Sequence, residues 1–182
     1  VLLLPLANQC FTSASFWVLT NRYGRVGYLE MLALVASATL LNQLPMRPGL
    51  VGRVAYHRKV HGIRVTDSLR VIVQVMICAG CAMGTLFAIA LLCRALGFEG
   101  WMCVVLFAVP VLAGGAAWIV LSTSGQGLAA RWAGALVFRY LDGAVWTARY
   151  AIIFRVLGYE ISLPAAAAVA FFSQVAMISP VQ

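Results

Sequence analysis

Val71-Ile72-Val73-Gln74-Val75-Met76-Ile77-Cys78-Ala79-Gly80-Cys81-Ala82-Met83-Gly84-Thr85-Leu86-Phe87-Ala88-Ile89-Ala90-Leu91-Leu92-Cys93 is an apolar run without a single charge. A helix that crosses a bilayer needs about 20 mostly apolar residues. The run lacks period-2 alternation and is too long for a barrel strand, so it reads as helix. A helix satisfies its own backbone groups, which hydrocarbon demands. Working outward, residues 1–21, 26–45, 101–121, 134–157 and 161–179 have the same character. The expected architecture is therefore all-α: a polytopic transmembrane helix bundle of about six spans. It forms a single integral-membrane domain over residues 1–182. The chain opens on Val1 and stops straight after an apolar run, so a fragment truncated at both ends is expected.

Composition supports this class. Of 182 residues, 63% are hydrophobic and 10% charged, against about 45–50% and about 25% in soluble domains. That excludes an ordinary cytosolic enzyme, a disordered tail and a disulfide scaffold. The formal charge is +8. In a membrane chain such an excess points to anionic or phosphate-bearing lipid headgroups and to topology-setting loops, not to nucleic acid. Cys10, Cys78, Cys81, Cys93 and Cys103 all lie in apolar stretches and read as packing residues. Cys78-Ala79-Gly80-Cys81 is a C-x-x-C by letters only. Gly80 and Gly84 make a G-x-x-x-G, and 113–117 is a small-residue patch; both suit helix packing. Serine-nucleophile, phosphate-loop and dinucleotide signatures are absent, and neither a metal nor another cofactor is expected. Composition leaves an oligomer open.

The charges are unevenly placed. Residues 46–70 contain Arg47, Arg53, Arg58, Lys59, Arg64 and Arg70 against Asp67 alone. Positive-inside logic makes this connection cytoplasmic. Strict alternation then puts Arg22, Arg25, Arg94 and Glu99 outside and Arg131 inside; a re-entrant element would disturb that order. His57 and His61 have an i,i+4 spacing that can share a metal. Their cationic neighbours would repel one, so the segment reads as a polybasic surface on anionic lipid.

Two constellations invite a functional reading. In the first, an apolar helix ends in Asn42-Gln43-Leu44-Pro45-Met46-Arg47-Pro48-Gly49, and Arg53 follows. Proline breaks a helix, and unwound backbone at membrane depth occurs where it lines a cavity. Broken helices near charge mark transporter sites; a plain helix end before a polar loop is the other reading. In the second, Arg131, Ala135, Arg139, Asp142, Trp146 and Arg149 fall within an arc of about 80° on one helix. Buried charges cost about 2.5–3.5 kcal/mol each on insertion scales, so they face a bundle interior or water. The stripe reads as a path for an anionic headgroup with Asp142 as organiser or proton acceptor. Alternatively, Asp142 only neutralises Arg139 or Arg149, or the segment lies in the interface as an amphipathic helix.

Asn42, Pro45, Arg47, Gly49 and Arg53, continued by Arg58-Lys59-Val60-His61-Gly62-Ile63, resemble the flippase-like integral-membrane domain of lysylphosphatidylglycerol synthases and their stand-alone relatives. Phe154–Pro164 resembles the same family's penultimate connection. Leu50 stands where that family often has an acid. The resemblance implies lipid translocation between leaflets of a bacterial cytoplasmic membrane, with two broken-helix elements near mid-membrane. The second would turn on Pro180. The sequence thus predicts a lipid translocase whose headgroup site draws on Asn42, Arg47, Gly49, Arg53, Arg139, Asp142 and Arg149, with Pro45, Pro48 and Pro180 as helix breakers. The rival readings are a membrane-embedded transferase on a lipid-linked phosphate, with Asp142 or Asp67 as base, and a scaffold without transport.

Overall fold

The computed structural model describes residues 3–44, 48–98 and 100–178, with side chains as far as 176. Among these residues seven helices follow one another: α1 (Leu3–Thr20), α2 (Tyr28–Leu41), α3 (Pro48–His61), α4 (Val65–Ala95), α5 (Trp101–Thr123), α6 (Gly127–Val156) and α7 (Leu163–Ile178). No strand occurs among the described residues. Two of the helices, α4 and α5, are long and apolar enough to cross a membrane. The other expected spans fall short of that mark for separate reasons. α2 and α7 are shorter, α1 is diluted by Asn8, Gln9, Thr12, Ser13 and Ser15, and α6 carries the charged stripe.

Residues 48–61, within the basic connection expected from sequence, are helix and not loop. Proline suits the first turn of a helix, where its missing N–H has no partner to lose, and Pro48 opens α3. Nothing from Leu50 to His61 interrupts the helix, and Arg58, Lys59 and His61 complement the dipole at its end. Gly62, at φ 65°, turns the chain out of it.

α2 and α3 form an antiparallel hairpin. Near its tip a Cβ on Gly49 would overlap the Ala38 carbonyl oxygen and lie 2.7 Å from Asn42 Oδ1. Only glycine allows that approach. At its base, Tyr56 Oη donates to Glu30 Oε1 at 2.7 Å, and His61 Nε2 donates to the same oxygen at 2.7 Å. Ile63 packs on Gly24. The connections on either side of the hairpin therefore share one end of the molecule. This corrects the strict alternation expected from sequence, which put Arg22 and Arg25 opposite 46–70. Arg131 belongs to that end too, since its Nη1 donates to Val18 O at 2.9 Å. Among the described residues the excess of positive charge is thus gathered at the hairpin base, with Arg22, Arg25, Arg58, Lys59, Arg64, Arg70 and Arg131 against Glu30 and Asp67.

The main core joins Phe16 and Leu19 of α1, Met31 and Val35 of α2, Val71 and Val75 of α4 and Ala135 of α6, with Val26 and Ile63 closing it at the hairpin base. α5 lies outside. Cys103 is its only buried residue among those described, while Leu112, Ile119 and Val120 are exposed. It meets α6 where Gly114 faces Val137 and Trp118 covers Gly134. The small-residue patch thus packs helices, but a Cβ added at Gly80 or Gly84 would meet nothing within 4 Å among the described residues, so neither glycine is needed for a close helix approach there.

Single cysteines introduced at Arg22 and at Arg64 should react with a membrane-impermeant thiol reagent from the same side of sealed vesicles. Labelling from opposite sides would overturn the hairpin arrangement.

Candidate functional site

α1 supplies a row at i,i+4 spacing, Asn8, Thr12 and Phe16, on one helix face. α6 lies antiparallel to it and brings Arg139 and Asp142 against that row. Asn8 Nδ2 donates to Asp142 Oδ1 at 2.7 Å and to the Asp142 carbonyl oxygen at 3.0 Å. Arg139 Nη1 donates to Asp142 Oδ2 at 3.1 Å and to Thr12 Oγ1 at 3.2 Å. Both carboxylate oxygens of Asp142 are thereby engaged. Asn8 is 7% and Asp142 8% exposed, so the network sits away from solvent. Such a pair is tolerable when hydrogen bonds satisfy its remaining groups. Arg139 Nε and Asn8 Oδ1 have no hydrogen-bond partner among the described residues.

α3 brings a second cation to the same place. Arg53, 8% exposed, lays its guanidinium 3.9 Å from the Phe16 ring centre, and Arg139 lies 5.9 Å from that ring. A desolvated cation over an aromatic face gains roughly 2 kcal/mol. That is less than the penalty for burying an unpaired charge. Arg139 has its acid. Among the described residues no acid pairs with Arg53. The local sum is two cations against one carboxylate, with Arg53 as the surplus.

The structure brings together some of the residues expected from sequence. Arg53, Arg139 and Asp142 meet around Phe16. Gly49 lies one turn below Arg53 on the buried face of α3, and Asn42 caps α2 beside it. Arg149 stays apart: it lies 4.8 Å from the Trp146 ring, beyond Asp142 along α6. Pro48 begins α3. Pro45, Arg47 and Pro180 lie outside the described residues. The i,i+3 pairing of Arg139 with Asp142 is as the spacing predicts. His57 and His61 diverge: His57 Nδ1 lies 3.4 Å from Ser68 Oγ in the core, whereas His61 goes to Glu30. Among the described residues no three potential ligands cluster for a metal.

Sequence reading missed Asn8, Thr12 and Phe16. The available signal was polarity at 8 and 12, one turn apart, in an otherwise apolar helix. It also missed the Glu30–Tyr56–His61 clasp, whose members lie 26 and 31 residues apart.

No protein-family model, curated protein or solved structure matches the chain. The functional reading therefore rests on geometry.

Asp142→Leu should leave Arg139 buried and unpaired, lowering stability by roughly 3–5 kcal/mol. Combining it with Arg139→Met should restore most of the loss. Thermal unfolding in detergent, followed by circular dichroism, reads both. An Asp142→Leu protein as stable as the parent would show that the pair is not held as described.

Proposed function

We propose that the protein is a lipid translocase, or the membrane part of one, that passes a phosphate-bearing headgroup by way of Arg53. One observation carries this reading: Arg53 is a buried guanidinium without an acid among the described residues, beside an Arg139–Asp142 pair that is already neutral. A guanidinium forms two parallel hydrogen bonds with a phosphate. A phosphodiester would supply the missing charge, and Arg139 Nε would offer it a further hydrogen-bond donor.

In this reading α1, α4, α5, α6 and α7 cross the bilayer, while the α2–α3 hairpin enters and leaves by one face. The gathered cations make the hairpin base the cytoplasmic end by the positive-inside rule, in the cytoplasmic membrane of a bacterium. The residues at the hairpin tip, Asn42 and Gly49, would then lie within the membrane. Asn42 caps α2 there, and the tight contact at Gly49 lets the two arms move as one body. Acyl chains stay in lipid while the headgroup moves along the Arg53–Arg139 face. Movement is a shift between inward- and outward-open populations that the hairpin biases. The transferase reading is disfavoured because Asn8 and Arg139 occupy both oxygens of Asp142, and Asp67 is held by Arg70 at 3.2 Å on the surface.

Reconstituted in vesicles, the protein should move a fluorescent phosphatidylglycerol between leaflets. Arg53→Ala should slow this by about tenfold or more, equivalent to at least about 1.4 kcal/mol, while Arg70→Ala on the surface leaves it unchanged. Equal transbilayer rates for Arg53→Ala and parent protein would refute the assignment.

A further inference from the structure

α3 is two-faced. Gly49, Arg53 and His57, one turn apart, form its buried face. The next two rows are each apolar for two turns and then cationic: Leu50, Val54 and Arg58 in one, Val51, Ala55 and Lys59 in the other. These rows line a groove of about 570 Å³ between α3 and the start of α4, whose far wall is Val65 and Leu69. That volume falls in the range of sites for small ligands, about 300–1,000 Å³. From Leu50 to Lys59 the groove follows α3 for about 14 Å at 1.5 Å per residue. Both cations stand at one end of it, the end that also holds Arg64 and the rest of the positive charge. Arg58 and Lys59 are exposed and have no acid partner among the described residues.

We propose that this groove docks one anionic glycerophospholipid of the leaflet at the hairpin base, with its phosphate between Arg58 and Lys59 and an acyl chain along Leu50, Val54, Val65 and Leu69. Two features select this occupant. The polarity changes once along the groove, from apolar walls to paired cations, as it does along a phospholipid from chain to headgroup. The change also occurs at the end where the membrane surface must lie for α4, whose apolar length begins beside it. A free phosphate would use the cations and leave the walls uncovered. A polar peptide would use neither the walls nor the depth. The site lies on the opposite side of α3 from Arg53, so it does not depend on translocation. Its lipid would pin the outer arm of the hairpin against α4.

Lipids retained after extraction from vesicles of phosphatidylcholine and phosphatidylglycerol can be counted by native mass spectrometry. The parent protein should keep one phosphatidylglycerol in preference to phosphatidylcholine. Arg58→Glu/Lys59→Glu should lower its occupancy by about tenfold, and so should Ala55→Trp, which fills the groove without touching charge. Arg94→Glu, at the other end of α4, should keep it. All four positions are exposed, and helical content by circular dichroism confirms that each variant is folded. Retention in both groove variants would overturn the proposal. So would retention in Ala55→Trp with loss in the charge variant, since that outcome describes diffuse attraction of anionic lipid to a basic surface. Equal retention of the two lipids by the parent protein would also overturn it.

Discussion

A carboxylate and a guanidinium buried between apolar helices must find each other, or the helices cannot stay together. The Arg139–Asp142 pair meets that demand only because α1 presents Asn8 and Thr12 to it. Two of the polar residues that make α1 a weak membrane span, Asn8 and Thr12, are the ones that bond α6. Each helix is a poor candidate alone and a good partner to the other. With α1 and α6 locked in antiparallel register, their joint surface offers Phe16, Leu19 and Ala135 to α2 and α4. The hairpin then docks through Arg53 onto Phe16. The fold is thus organised around charge that an apolar interior does not accept unpaired.

The helices were legible because apolar runs bounded by glycine and charge leave few alternatives. The i,i+3 pairing of Arg139 and Asp142 was legible for the same local reason. The helical state of 48–61 was not, because its arginines and histidines read as loop until their burial is known. Burying Arg53 and His57 needs Phe16 and Ser68, far away in sequence. The direction of the hairpin was hidden too. It depends on Gly49 fitting against Ala38 and on Glu30 reaching Tyr56 and His61, and spacing within one helix reports none of these contacts. Glycine patterns misled in an instructive way. Gly80 and Gly84 have the spacing of a packing motif yet leave room for a side chain among the described residues, whereas Gly114 and Gly134 lie close under Val137 and Trp118. A small residue permits close approach, but only a partner helix at the right angle uses it.

Nine of the thirteen cations now fall into three groups. One guanidinium is neutralised inside the bundle by Asp142. One, Arg53, is buried and in surplus. The larger group lies at the hairpin base, where exposed cations end the groove outside α3. α3 separates the last two: its inner face holds Arg53, which in the proposed function meets a headgroup, and its outer face bears the groove proposed to dock a lipid. A hairpin clasped at its base by Glu30, Tyr56 and His61 and closely packed near its tip by Gly49 can move as a unit between these two surroundings.

The proposed function requires that Arg53 pair with a phosphodiester. Glycerophosphoglycerol has the headgroup chemistry without acyl chains, so it cannot fill the groove. A ligand that binds only the folded state raises the unfolding midpoint by mass action. Titrating it into the detergent-solubilised protein while following thermal unfolding should raise the midpoint of the parent protein and leave that of Arg53→Met unmoved. Equal rises in the two proteins, or none in the parent, would contradict the account.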